Sequence, residues 1–422
     1  MDVFEDLESN VRSYCRTWDT VFARADGSRV YGEDGTDYVD FFSGAGALNY
    51  GHNNPLLLRP LLRYLESGAI VHSLDMKTQA KRRFLEAFRD LVLIPRELDY
   101  KVMFTGPTGT NAVEAALKLA RKVTGRHHVL GFTNAFHGMT LGSLSVTGNS
   151  MKRRGAGIPL NNTSSIPYDG YLPPGTDDLI WLRQILADSG SGVDKPAAVI
   201  VETVQGEGGL RAARAAWLHD LSEVCRAHGV LLIVDDVQAG CGRTGTFFSF
   251  EPAGITPDIV CLSKSISGYG LPLALTLFRP ELDLWQPGEH NGTFRGHNPA
   301  FVTATAALEN YWADTGLQER VAARTAELRA GLEEIAGWSE GAQVRGRGLL
   351  AGIFYPDTRT AARIARQSFA AGLLVETSGP ESEVIKVMPP LTISAEDLAK
   401  GLDMLAEAAT TATREASLAP SR

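Results

Sequence analysis

Between residues 101 and 264, short apolar runs alternate with stretches whose apolar positions recur at helical spacing. KVMFT (101–105), HVLGFT (128–133), AAVIVET (197–203), VLLIVDD (230–236) and DIVCLSK (258–264) read as strands. Their near-continuous Val, Ile and Leu content is the pattern of strands covered on both faces. NAVEAALKLARKV places Val113, Ala116, Leu117 and Ala120 at i, i+3, i+4 and i+7, one apolar helical stripe. WLHDLSEVCRAHG is also helical in period and is closed by Gly229. This alternation predicts an α/β fold with a mostly parallel sheet between helices. SRVYGED and TDYVDFFS predict two short strands nearer the N-terminus. From about residue 299 the chain turns to two helices, then to strand candidates GLLAGIFY, LLVET and VIKVMPPLTI, then to a last helix. That tail predicts a smaller α+β domain.

In an open parallel sheet, ligands bind beyond the carboxyl ends of the strands. Five predicted strand ends here carry polar or glycine-rich groups: GPTGTN, NAFHG, Glu202 with TVQGEGG, Asp235, and Lys264. GPTGTN lacks the G-K-[ST] of a Walker loop, yet Gly109 and Thr110 open a helix. Thr110 or Asn111 is placed to cap that helix, with Glu114 available for a capping box. Free N–H groups at such a start favour phosphate. The bland alternatives are an ordinary capped helix, a loop aspartate and a solvated lysine. An amine, an acid and an anion-holding turn from neighbouring strand ends together suit pyridoxal 5'-phosphate. The lysine would form the Schiff-base link, and the acid would keep the pyridine nitrogen protonated.

Composition narrows the partners. The 422 residues are 44% hydrophobic and carry a formal charge of −8, which argues against nucleic acid or an anionic membrane. No run approaches the roughly eighteen apolar residues of a membrane span. MDVFEDLESNVRSY lacks a signal-peptide pattern, so the expected location is cytoplasmic. Cys15, Cys225, Cys241 and Cys261 are scattered without metal spacing, so neither a metal site nor a disulfide framework is expected. No G-x-G-x-x-G follows the first predicted βα unit, and neither G-x-S-x-G nor H-E-x-x-H occurs.

The runs GPTGTNAVEAALKLAR, NAFHGMT, VETVQGEGG, VDDVQAGCGRTG, LSKSISGYGLPLA and GTFRGHNP, in this order, resemble the class III aminotransferases of fold type I. The resemblance covers residues from about 20 to 395. It implies a large domain (56–297) with a seven-stranded, mostly parallel sheet. It also implies a small α+β domain (298–422) joined by the N-terminal segment (1–55). Within the family, GAGALNYGHNNP and GPTGTNAVEAALKLARKVTGR most resemble the branch that forms L-2,4-diaminobutyrate for ectoine synthesis. That branch takes its amino group from glutamate, releases 2-oxoglutarate and uses aspartate 4-semialdehyde as acceptor.

Carried over by position, the resemblance makes Lys264 and Asp235 the catalytic pair, with Lys264 as covalent anchor and Asp235 on the pyridine nitrogen. Gln238 approaches the ring hydroxyl, Phe136 and Val237 cover the two ring faces, and Gly109 and Thr110 bind phosphate. Thr293 reaches the phosphate of a partner subunit, which implies at least a homodimer with shared sites. His137 matches an aromatic-His-Gly pattern, and a packing role is expected for it. Two departures stand out. Asp236 replaces a usual glutamate, and Lys386 stands where many relatives carry arginine, offering a point charge in place of a fork. Glu207 and Lys386 are expected to gate the substrate carboxylate, or else to form an ordinary surface pair. Arg16 lies near a substrate position, and the small residues Gly44, Ala45 and Gly46 would widen the pocket. The rivals are another class III ω-aminotransferase acting on 4-aminobutyrate, ornithine or acetylornithine, an aminomutase, and a non-catalytic coenzyme-binding homolog.

Overall fold

The computed structural model describes residues 3–418. Its central sheet contains β1 (Lys101–Phe104), β2 (Val129–Phe132), β3 (Thr163–Ile166), β4 (Ala198–Val201), β5 (Leu231–Asp235), β6 (Ile259–Leu262) and β7 (Leu275–Phe278). The spatial order is β1-β7-β6-β5-β4-β2-β3, and only β7 runs antiparallel to its neighbours. Every residue of β2, β4, β5, β6 and β7 is buried. That is why β2, β4, β5 and β6 read as unbroken apolar runs: helices cover both faces. Helix α1 (Gly109–Thr124) buries Val113, Ala116, Leu117 and Ala120 against the sheet, the stripe its spacing predicts.

Two strands of the sheet escape the apolar-run criterion. β3 is TSSI, whose central serines are exposed at the sheet edge. β7 lies within LPLALTLF and is the reversed strand between β1 and β6.

Phe22–Asp26, Arg29–Gly32 and Asp37–Asp40 form an antiparallel ribbon. Leu373–Leu374, more than three hundred residues away, extends it in parallel beside Asp37–Asp40. A second four-stranded sheet joins Gln343–Arg347, Leu350–Phe354, Val384–Val387 and Glu376–Ser378. Helices Gly316–Ala336, Thr358–Ala370 and Ala395–Leu418 accompany these smaller sheets. No helix among the described residues is long and apolar enough to cross a membrane.

Arg243 ties the parts together. It is wholly buried, and every acceptor it reaches is uncharged. Its Nη2 donates to Asn49 Oδ1 at 2.6 Å, and its Nη1 donates to the carbonyls of Leu349 (3.1 Å) and Pro389. Burial pushes its pKa down to about 9, with the charge of Asp40 working the other way. Asn49 N–H in turn donates to Ser265 Oγ, next to Lys264. Each buried acceptor left unpaired costs about 1–3 kcal/mol. Arg243→Met is therefore expected to lower stability by on the order of 3 kcal/mol or more. A urea midpoint equal to that of the parent protein would contradict this.

Candidate active site

Eight of the nine predicted coenzyme contacts line one cavity of about 180 Å³: Gly109, Thr110, Phe136, His137, Asp235, Val237, Gln238 and Lys264. Each arrives from a strand end or from the start of α1. β5 delivers Asp235 opposite Cys261 of β6. Beyond β6, Ser263 stays extended and Lys264 turns into the left-handed region at φ 51°. A non-glycine residue there is uncommon and strained, and it bends the chain so that a short helical turn carries the lysine.

Asp235 is 6% exposed and accepts a bond from His137 Nδ1 at 2.7 Å and from the Val237 N–H at 3.2 Å. His137, expected to pack at the coenzyme without carrying a catalytic proton, thus fixes the orientation of Asp235. Burial disfavours the imidazolium, yet the hydrogen bond and charge of Asp235, helped by Glu202, raise the His137 pKa above its ordinary value. Burial, reinforced by the Lys386 ammonium, pushes the Lys264 amine down to about 8. Near neutrality about a tenth of it is therefore the free base.

The start of α1 differs in detail from expectation. Thr108 is the capping residue, and Asn111 Oδ1 accepts its N–H at 3.2 Å and its hydroxyl at 2.8 Å. Glu114 instead accepts the Thr140 hydroxyl and the Ser143 N–H. Thr110 Oγ1 bonds to Thr140 Oγ1 at 2.8 Å. A Cβ on Gly109 would lie 2.8 Å from Val237 Cγ1, so only glycine lets the helix start approach that side chain.

Gln238 Nε2 donates to the Ala45 carbonyl at 3.1 Å, while its Oε1 is buried without a hydrogen-bond partner among the described residues. His137 Nε2 is likewise unpartnered. Ala45 belongs to a run in which Ser43, Gly44, Ala45 and Gly46 all have positive φ, at 49°, 57°, 56° and 87°. Left-handed residues are ordinarily single. Here the Asp40 carboxylate holds the turn's entrance through the Phe42 and Ser43 N–H groups, and Ser265 Oγ donates to Gly46 O.

Lys386 is wholly buried, so the surface-pair alternative does not hold. Its Nζ lies 2.6 Å from Glu207 Oε1 and 2.8 Å from Glu376 Oε1. Burial opposes ionisation of Glu207, but the Lys386 ammonium outweighs it and holds the pKa well below the usual carboxylate range. Partial burial and then the charges of Glu376 and Glu207 raise the Tyr14 hydroxyl, which places Tyr14 beside this cluster. Arg16 is not brought to the site; it is exposed and bonded to Asn10 and to the Arg12 carbonyl. Thr293 is also exposed and outside the cavity, on a turn whose carbonyl accepts from His72 Nε2 at 2.7 Å.

Four neighbours carried no role in the sequence reading. Glu202 lines the cavity and accepts the Phe136 N–H at 2.9 Å, and burial pushes its pKa up to about 7. Its place at a strand end was the available signal. Lys152 Nζ sits 4.2 Å from the Phe136 ring centroid, a cation–π contact. Glu376 meets Lys386 across two adjacent antiparallel strands, and Tyr14 reaches the glutamates from the far N-terminal segment.

A class-III aminotransferase family model matches residues 13–409. The chain belongs to the class-III aminotransferases. The aminotransferase is 61% identical to a diaminobutyrate–2-oxoglutarate transaminase of Streptomyces avermitilis, over 97% of each chain. It is 58% identical to a protein of the same name from Halalkalibacterium halodurans, over 96% of each. The ornithine aminotransferase of Toxoplasma gondii, solved with partial occupancy of pyridoxal phosphate, superposes with a TM-score of 0.84 at 26% identity. That alignment covers 98% of this chain and 93% of the other. Pyridoxal 5'-phosphate is the coenzyme of this aminotransferase, which works on amino-acid and 2-oxoacid substrates. The donor set fits it: a lysine whose amine is easily deprotonated, a buried carboxylate, two buried orphan polar atoms and a helix start packed too closely for a side chain.

Gly109→Ala is expected to weaken coenzyme retention about 10-fold or more, because Val237 or the helix start must move. Fluorescence titration of the coenzyme-free protein measures it, and an unchanged affinity would contradict the packing argument. A second test uses pH. A carboxyl whose folded pKa is raised stabilises the fold fully only below its unfolded value, and that contribution is gone above the folded one. For Glu202 the window runs from 4.5 to about 7. The coenzyme-free protein should lose stability across it, and Glu202→Gln should lose less. Identical slopes of Tm against pH for the two proteins would rule this out.

Proposed function

We propose that the aminotransferase moves the amino group of L-glutamate to the terminal carbon of L-aspartate 4-semialdehyde, giving 2-oxoglutarate and L-2,4-diaminobutyrate. This would be the first step of ectoine synthesis from the semialdehyde, in the cytoplasm. The convergence of Lys264, Asp235 and the Gly109 helix start on one cavity supports the chemistry. Near-full-length identity to diaminobutyrate transaminases supports the substrates.

When bound, pyridoxal phosphate supplies a protonated pyridine ring that withdraws the electron pair left on the substrate's reacting carbon. Asp235, oriented by His137, keeps the proton on the ring nitrogen by holding an anion beside it. Lys264 Nζ anchors the coenzyme and, once released, takes the proton from the reacting carbon and returns one on the far side of the transfer. Its lowered pKa suits it to both tasks. Phe136 and Val237 would hold the ring, Gln238 would meet its hydroxyl, and Gly109 and Thr110 would hold the phosphate. Lys386 receives the glutamate carboxylate when Glu207 swings aside, and the small residues at Ala45 leave room for it.

The working form is a homodimer in which Thr293 of the partner subunit completes the phosphate site. An apolar patch supports this: Ile70, Val71, Met76 and Phe294 are 54%, 46%, 54% and 66% exposed on the segments around Thr293.

Two substrates using one site in turn should give parallel initial-rate lines with glutamate and aspartate semialdehyde, and diaminobutyrate as the product by mass spectrometry. Intersecting lines, or no diaminobutyrate, would overturn the assignment. Lys386→Ala is expected to raise the KM for glutamate roughly 10-fold or more; an unchanged glutamate half-reaction would remove the gate.

A further inference from the structure

One buried and one half-buried carboxylate close on a single lysine. Glu376 and Lys386 are cross-strand partners on Glu376–Ser378 and Val384–Val387, so backbone register fixes their 2.8 Å contact. Glu376 is 5% exposed and stands behind the lysine, whereas Glu207 lines the cavity. Among the described residues, neither glutamate forms an ion pair with any cation except Lys386. The cluster therefore sets two carboxylates against one ammonium in contact: burial works against ionisation of Glu376 while Lys386 favours it, and Lys264 and Lys152 act on Glu207 without forming an ion pair. A surplus charge taken out of water is costly unless a cation meets it.

The reaction proposed above supplies such a cation, and this inference rests on that reading. L-Aspartate 4-semialdehyde and L-2,4-diaminobutyrate react at the terminal carbon and carry an ammonium beside a carboxylate at the other end. Glutamate and 2-oxoglutarate carry only a carboxylate there. We propose that Glu376 is the standing counter-ion of Lys386 and thereby leaves the Glu207 carboxylate, at the cavity wall, to bind the distal ammonium of the four-carbon substrate. Glu376 is then a positioning residue that sets specificity through Lys386. Without its charge, Lys386 draws on Glu207 alone, and the cavity wall no longer distinguishes an ammonium-bearing substrate from one that lacks it.

4-Aminobutyrate differs from 2,4-diaminobutyrate only in lacking that ammonium. The test compares kcat/KM for these two amines, with 2-oxoglutarate as acceptor, in the parent holoenzyme and in Glu376→Gln. The parent should prefer diaminobutyrate, and the variant should lose about 10- to 100-fold of that preference, the range of a hydrogen bond to a charged group. A purely structural role would slow both amines equally and leave the ratio unchanged, which would overturn the proposal. If turnover of the variant is too slow, calorimetric Kd values for the two amines on the holoenzyme give the same ratio. A parent enzyme that does not prefer diaminobutyrate would instead sink the substrate assignment, a separate outcome.

Discussion

Removal of water from the carboxyl ends of β4, β5 and β6 is the constraint from which the rest of the site follows. Charged groups placed there must find partners or give up their charge. Asp235 finds His137, Glu202 finds the Phe136 N–H, and Lys386 finds two glutamates. Among the described residues Lys264 forms no ion pair with a carboxylate, and burial drives its amine toward the neutral form. Pairing with Lys386 thus outweighs desolvation at Glu207 and keeps it ionised, whereas the same desolvation pushes the unpaired Lys264 toward the free base. A rigid parallel sheet makes this possible, because neighbouring strands hold their ends in fixed register.

Strain is concentrated where the N-terminal segment meets this floor. The left-handed run from Ser43 to Gly46 and the positive φ of Lys264 are conformations that persist only when their surroundings over-determine them. Asp40 fixes one end of the run, Ser265 the other, and Arg243 anchors Asn49 behind both. The Ala45 carbonyl is thereby presented to Gln238. A segment more than two hundred residues before Lys264 thus holds Gln238, a residue of the cavity lining, in place.

Much of this was legible in the sequence because it is local. Apolar runs gave β1, β2, β4, β5 and β6 within a residue or two of their ends, and strand-end chemistry identified Lys264, Asp235 and Gly109. Motif resemblance then added Phe136, Val237 and Gln238. β3 was hidden by its serines, since an edge strand needs little apolar surface. The cap at Thr108 was displaced from expectation because Asn111 bonds backwards and Glu114 is drawn to Thr140. Glu376 was invisible because the register of its strand against the one carrying Lys386 was not read, and Tyr14 because its charged neighbours come from distant parts of the chain. Arg16 was misplaced for the opposite reason: local carbonyls satisfy it before it can reach the cavity.

The central claim is that the desolvated strand ends present one particular amine to the coenzyme. Reducing the holoenzyme with borohydride and mapping the modified peptide by mass spectrometry tests it directly. The account predicts a pyridoxyl group on Lys264 and on no other lysine. Modification at Lys152 or Lys386 in its place, or a coenzyme that washes away unreduced, would contradict it.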